Sequence, residues 1–219
     1  MNIIEVLINP DTFFKKLSQK EISLKEPFLI VLVFSILISI STYISTSVMF
    51  KIFPPQYQQI MSFIKVISLI STFIGGLISW IIIAGIMHLI SIAFKGKGKF
   101  KKTLSFVGYG FLPNIIGALI TIPIAYYYLS HIHVQPLSIE QLQNPIIVQK
   151  VVKSIIPKSL VYFNLFVGIG VTLWNLYIWT FAIKYARNLD IKKAFITALI
   201  PTIIFGLYQL YNIIKLIFG

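Results

Sequence analysis

The sequence predicts an all-α membrane protein of five transmembrane helices, N-terminus cytoplasmic and C-terminus outside, with short amphipathic helices at the membrane surfaces. Three observations carry that expectation. Hydrophobic residues make up 57% of the 219-residue chain and charged residues only 11%, where a soluble domain holds about 25% charged. The apolar residues fall into five runs, about 27–50, 64–94, 113–129, 160–182 and 194–218, each long enough to cross a hydrocarbon core of about 30 Å. The cations sit in the gaps between these runs and gather on one side.

Residues 1–26 are expected to form a cytoplasmic amphipathic segment and 27–219 a transmembrane domain. Met1 to Ile8 carries Glu5, with neither a basic stretch nor a small-residue cleavage site, which predicts no removable leader. Asn9-Pro10-Asp11-Thr12 is a helix start. Asn is the cap, Pro takes the first helical position, where an N–H has no partner anyway, and Asp sits where the helix dipole favours negative charge. The helix it opens sets Phe13, Phe14 and Leu17 against Lys15, Lys16 and Lys20, a stripe that suits either the headgroup plane or the protein's own bundle. Pro27 begins the first span, and Lys51 with Pro54-Pro55 ends it. The second run would be about 46 Å long if straight, so it must tilt or project.

Five lysines then fall within the eight residues Lys95 to Lys102. Each would cost about 2.5–3.5 kcal/mol at the bilayer centre, so the loop stays at the cytoplasmic face. Phe100 to Tyr109 is expected as a short surface helix. Gly108, Gly110 and Pro113 are poor helix formers and mark an elbow, Gly108, Tyr109, Gly110, Pro113 and Asn114, where the third span begins. His131 to Pro157 is the one long polar interval. In it Ser138-Ile-Glu-Gln141 is a capping box and Asn144-Pro145 a second cap-then-proline start. The helix that follows sets Ile147, Val148, Val151, Val152 and Ile155 against Gln149, Lys150 and Lys153, as expected of a helix resting on the outer membrane surface. A compact basic turn, Lys184 to Lys193, separates the fourth span from the fifth.

The cation count sets the orientation. Lys15, Lys16, Lys20 and Lys25 at the N-terminus, the five loop lysines, and Lys184, Arg187, Lys192 and Lys193 fall on one side. Lys51, Lys65, Lys150, Lys153, Lys158 and Lys215 fall on the other, thirteen against six. The richer side faces the cytoplasm. The net charge of +13 therefore points to anionic lipid on the cytoplasmic leaflet and not to nucleic acid, since no continuous basic face is built. Lys95, Lys97, Lys99, Lys101, Lys102, Lys192 and Lys193 are the candidate headgroup contacts.

Three runs carry small or polar residues at same-face spacing: Ser35, Ser39, Thr42 and Thr46; Ser68, Ser71, Gly75 and Ser79; and Asn164, Gly168, Thr172 and Asn175. These faces are expected to meet, because small residues let helices approach and hydroxyls bond across the contact. His88, Asn164 and Asn175 are the candidate intramembrane polar contacts, since each must find a partner in lipid. No Asp or Glu lies in any proposed span, which argues against a proton relay. The sequence has no cysteine, no His-Glu-x-x-His, no Gly-x-Ser-x-Gly and no phosphate loop, and His131-Ile-His133 lacks a third ligand. No catalytic residue, metal or cofactor is expected. Lys101-Lys…Pro113-Asn-Ile-Ile echoes Lys192-Lys…Pro201-Thr-Ile-Ile, which would suit a duplicated hairpin or a shared way of entering the membrane.

Asn9-Pro-x-x-Phe-Phe14, the lysine-glycine loop leading into Phe100-x-x-Thr-Leu-x-x-x-Gly-Tyr109-x-x-x-Pro113, and Trp179 followed by a basic turn and Ala194 to Pro201 together resemble the Yip-domain membrane family, over almost the whole chain. The resemblance implies five spans with the N-terminus inside and the C-terminus outside. It also implies, for eukaryotic members, association with Rab-type GTPases and vesicle traffic through an acidic segment ending in an Asp-Leu-Tyr-Gly-Pro-like motif. Here that place reads Ser23-Leu-Lys-Glu-Pro27-Phe28, without the Tyr-Gly pair, which speaks against GTPase binding and aligns the chain with the short prokaryotic members. The expected role is a non-enzymatic, multi-pass scaffold or adaptor of the cell membrane. The elbow and basic loops would dock anionic lipid, a membrane-protein partner or a second copy. The alternative is a small carrier or channel with a Ser/Thr/Asn-lined path.

Overall fold

Backbone amides in long apolar runs find no water in a bilayer and must bond within their own segment, which makes such runs helices. In the computed structural model the backbone of residues 3–218 is described, with side chains except at 208, 209 and 212–218. The helices among them are α1 Ile3–Ile8, α2 Pro10–Ser18, α3 Lys25–Met49, α4 Gln58–Ala93, α5 Phe100–Tyr109, α6 Leu112–Ser130, α7 Ile139–Gln143, α8 Pro145–Ile155, α9 Lys158–Arg187 and α10 Ile191–Phe218. No strand occurs among the described residues. Four stretches there are long and apolar enough to cross a membrane: Lys25–Ile52, Pro55–Ala93, Phe100–Ser130 and Lys158–Arg187. α10 is a further 28-residue helix, and Lys215 within it lies outside the described side chains.

The predicted caps are present. Asn9 accepts from Thr12 N at 3.3 Å, Ser138 and Gln141 form the capping box, and Asn144 accepts from Ile146 N and Ile147 N. α9 stops at Asn188, whose φ of 53° is the left-handed residue that closes a helix. α4 starts earlier than the apolar run, at Gln58, because Gln58 to Phe63 are adequate helix formers once the prolines are passed. Its 36 residues span about 54 Å. Lys65 on α4 lays its ammonium 4.5 Å from the Tyr43 ring centre and 2.9 Å from Ser47 Oγ, which lets a cation sit among apolar residues.

α3 and α4 are packed along the α3 stripe. Thr42 Oγ1 donates to Thr72 Oγ1 at 3.3 Å, and a Cβ on Gly76 would come within 2.5 Å of Ser35 Oγ. On α4 the contact face is therefore Leu69, Thr72 and Gly76, one position round from the predicted Ser68, Ser71, Gly75 and Ser79 face. Ser71 and Gly75 are exposed, with nothing within 4 Å of a Cβ at Gly75. One residue is 100° of helix, so the small residues beside the seam, and not the regular series, touch α3. The α9 series faces α6 and a cavity instead: a Cβ on Gly117 of α6 would lie 2.7 Å from Val171 Cγ2.

Two apolar cores close the ends. One gathers Phe13, Phe14, Trp80, Met87, Phe106, Tyr109, Ile178 and Trp179 near the lysine loop, here called the lysine end. The other joins Val48, Ile52, Leu129, Leu137, Ile155 and Leu160 at the opposite end. Two expectations about short helices change accordingly, and for α2 one of the two alternatives is selected. α5 is not a surface helix: Thr103 and Ser105 to Tyr109 are buried between α3, α4 and α9, because glycines at 108 and 110 remove the side chains that would keep it out. α2 turns its phenylalanines onto the bundle, not into headgroups. α8 lays Val148, Val151 and Val152 on the opposite core, drawn over it by a Leu137 N–H bond to Ile52 O at 2.8 Å. The echoed prolines also differ in place, since Pro113 opens α6 whereas Pro201 is inside α10.

Candidate functional site

At the lysine end, segments far apart in the chain meet around α5. The Phe13 ring meets Tyr109 edge-on at 5.1 Å, and Phe14 stacks on Phe106 at 5.4 Å. The Tyr109 hydroxyl donates to Glu26 Oε2 at 2.6 Å in the first turn of α3. All three tryptophans donate to backbone carbonyls here: Trp80 to Leu104 O at 2.8 Å, Trp179 to Val107 O at 3.0 Å and Trp174 to Leu7 O at 3.1 Å. Val107 lies in the last turn of α5, and its carbonyl accepts both the indole and the Gly110 N–H at 3.0 Å, so Trp179 caps the end of that helix. Glycine is required twice. A Cβ would lie 2.6 Å from Pro27 Cβ at Gly108 and 2.0 Å from Trp179 Nε1 at Gly110. Pro113 opens α6, where it withdraws no needed donor. Gly108, Tyr109, Gly110 and Pro113 are buried and Asn114 half-buried, so the elbow is an internal joint.

The lysine loop is held by a residue that the sequence reading counted only as charge. Arg187, 2% exposed, donates from Nε to Ser91 Oγ at 2.7 Å, from Nη2 to Gly96 O at 2.7 Å and from Nη1 to Gly98 O. Its own carbonyl accepts from Lys97 N at 2.7 Å. Gly98 takes φ 113°, open to glycine alone among common residues. Arg187 is the only arginine in a chain that otherwise uses lysine, and that was the available signal: three acceptors in a fork suit a guanidinium, not an ammonium. The clamp sets the loop beside the α9–α10 turn, so both basic segments share one surface. Lys95, Lys97, Lys99, Lys101 and Lys192 are exposed there. Of the seven predicted headgroup lysines only Lys193 has a carboxylate partner among the described residues, Asp190 at 3.0 Å. Lys102 is half-buried over the Phe106 ring.

α2 is tied to the same end by Asp11, which accepts from Lys184 Nζ at 2.6 Å and Tyr185 OH at 2.9 Å. The Lys184 ammonium holds the Asp11 carboxyl below its ordinary value of 3.8. The three predicted polar contacts are not brought together. His88 Nδ1 pairs with Thr103 Oγ1 at 2.9 Å, its ring against Phe100. Asn175 is 6% exposed and its Oδ1 has no partner among the described residues. Asn164 lines a cavity of about 460 Å³ between α3, α6 and α9, with Asn114, Ser41, Ser45, Thr121 and Thr172 among its walls. His131 Nδ1 sits 2.7 Å from Tyr127 O, and no group of three metal-ligating side chains gathers among the described residues.

A family model described as the Yip1 domain matches residues 4–213. An uncharacterized protein of Methanocaldococcus jannaschii is 80% identical over 127 residues, 58% of this chain and 90% of that one. No solved structure matches. The family match covers nearly the whole chain, which therefore belongs to the Yip1 family and is a multi-pass membrane protein.

Proposed function

We propose that this Yip1-family chain crosses the cell membrane five times, with α10 as the fifth pass, its lysine end in the cytoplasm and its C-terminus outside, and that it works as a non-enzymatic scaffold or adaptor. The observation that carries this reading is the clamped basic surface. Two turns far apart in sequence are locked side by side by Arg187 and present lysines almost without carboxylates. Such a surface attracts anionic headgroups at about 1 kcal/mol per lysine near the bilayer, or the acidic face of a membrane-protein partner. The buried elbow shapes the platform, and the exposed lysines make the contacts. The absence of the acidic Tyr-Gly segment before Pro27 argues against a GTPase as that partner.

Crosslinking with mass spectrometry in native membranes tests the role: crosslinks from Lys95, Lys99 and Lys192 to one recurring partner or to a second copy are expected. Their absence, together with equal binding to neutral and anionic vesicles, removes the reading. Cysteine labelling at Lys99 and Ser138 in sealed cells tests orientation, with Ser138 alone reached from outside. A second reading, a small carrier or channel, is favoured by the cavity, because hydroxyl and amide side chains from three helices line one space. Proteoliposome flux lost in Asn164→Leu would select it.

A further inference from the structure

A groove runs down the outside of α9 and α10 from the lysine end. α9 lines it with Leu173, Tyr177 and Phe181, and α10 with Lys192, Phe195 and Ile196. From Leu173 to Arg187, the last residue of α9, is about 21 Å of helix. Half of a hydrocarbon core of about 30 Å is less than that, so the groove is deep enough to reach through one leaflet. Its polarity is confined to the top. Lys192, in the first turn of α10, is the one charged wall among the described residues. Below it the side-chain polar atoms are two hydroxyls. Thr180 Oγ1 is spent on Leu176 O at 2.7 Å, and Tyr177 stands edge-on to Phe181 with ring centres 5.3 Å apart.

The other charges at the rim cancel in pairs. Lys184, its ammonium 5.5 Å from the Phe181 ring centre, is held by Asp11, and Asp190 is held by Lys193. The Arg187 guanidinium is turned inward to Ser91 and the lysine loop. Lys192 is exposed and has no carboxylate partner among the described residues, so an anion at the top of the groove meets one uncompensated ammonium. A partner helix fits this groove poorly. Helices dock in lipid where glycine, alanine or serine lets backbones approach. Here the walls are leucine, isoleucine, phenylalanine and tyrosine, and the small Thr180 is buried between them. A flexible hydrocarbon chain needs no flat seat and gains dispersion contacts by filling the gaps between large side chains.

We infer that this groove holds one anionic phospholipid of the leaflet at the lysine end, its phosphate on Lys192 and an acyl chain lying along Phe195, Phe181, Tyr177 and Leu173. The inference rests on the basic surface of the proposed function and narrows it to a seat for one lipid. Exposed loop lysines attract anionic headgroups in general, whereas the groove adds a tail contact that an acidic protein face lacks. Ile196 supplies the decisive variant, because it is exposed and lines the groove. Ile196→Trp fills the tail seat from an exposed position, and Lys192→Gln removes the charge at its top. Lys99→Gln removes the same charge from the exposed loop outside the groove.

The full chain is placed in phosphatidylcholine nanodiscs doped with phosphatidylglycerol or phosphatidylcholine bearing a diazirine in one acyl chain, and the adducts are mapped by mass spectrometry. Phosphatidylglycerol adducts should concentrate in 173–181 and 191–196 and exceed phosphatidylcholine adducts there about fivefold, the factor one lysine near the bilayer gives. Lys192→Gln should abolish that preference, and Ile196→Trp should clear both lipids from the groove. Lys99→Gln should do neither, and circular dichroism identifies any variant that fails to fold. Equal groove labelling by the two lipids, an unchanged preference in Lys192→Gln, or a groove covered by a second copy and crosslinked to it would overturn the inference. The two readings fail separately. Vesicle binding that favours anionic lipid while the groove stays unlabelled overturns the seat and leaves the basic surface standing. A labelled groove that depends on Lys192, in a chain whose loop lysines crosslink to nothing, removes the adaptor and supports the seat.

Discussion

Tyr109 and Glu26 are 83 residues apart in the chain, yet the tyrosine hydroxyl donates to the carboxylate at 2.6 Å, pinning the end of α5 to the beginning of α3. The same ring packs on Phe13 and Phe14, so one residue joins α2, α3 and α5. Its two roles are separable. Tyr109→Phe keeps the ring contacts and should cost about 1.5–3 kcal/mol, the range for a bond to a charged group. Tyr109→Ala loses both and should cost about 3–5 kcal/mol. Thermal unfolding in one detergent ranks them, and equal losses would mean that the hydroxyl contributes nothing.

Gly110→Ala drives a methyl to within 2.0 Å of Trp179 Nε1, so either the indole leaves Val107 O or α5 shifts. We expect a loss of more than 2 kcal/mol, from overpacking and a lost buried hydrogen bond together. Pairing it with Trp179→Phe should recover part of that loss, because the clashing nitrogen is gone. Gly75→Ala, with open space around it, should instead stabilise by about 0.5–1 kcal/mol.

Arg187→Lys retains charge but cannot reach Ser91 Oγ, Gly96 O and Gly98 O together. Hydrogen exchange at Lys97 N, now bonded to Arg187 O, should rise about tenfold or more, with trypsin cleavage in the loop rising in parallel. Unchanged exchange would assign the loop's order to the glycines alone.

The Asp11 to Lys184 pair makes α2 docking pH-dependent. The folded carboxyl titrates below its ordinary value of 3.8, so its contribution is fully present above that value and is lost as pH falls through the lowered one. Both groups are partly exposed, at 46% and 28%, which limits the effect to about 0.5–1 kcal/mol. Proteolysis between α2 and α3 should increase on acidification in the wild type. Asp11→Asn should show that increase already at neutral pH and no further change.

The sequence disclosed the helices better than their faces. Caps at Asn9, Ser138 and Asn144 announce themselves, because an unpaired N–H at a helix start needs a nearby acceptor and few residue types supply one. The hydroxyl stripe on α3 was equally legible. The α4 seam was not: Ser68, Ser71 and Gly75 make the more regular series, and nothing in periodicity says which of two neighbouring small-residue lines a partner helix will choose. Gly108 and Gly110 were seen as helix breakers when they are seats for Trp80, Pro27 and Trp179, a purpose visible only once those side chains arrive from distant helices. Arg187 was masked by the lysines around it.

The guanidinium of Arg187 has a mechanical meaning. It holds two carbonyls of one basic turn while its own carbonyl is held by that turn's amide, so the hydrogen bonds run in both directions across the gap. Two strips of chain riveted this way cannot be tugged separately: a force applied at Lys97 is felt at Lys192, and whatever grips the lysine end of this protein grips both turns, and the helices they join, at once.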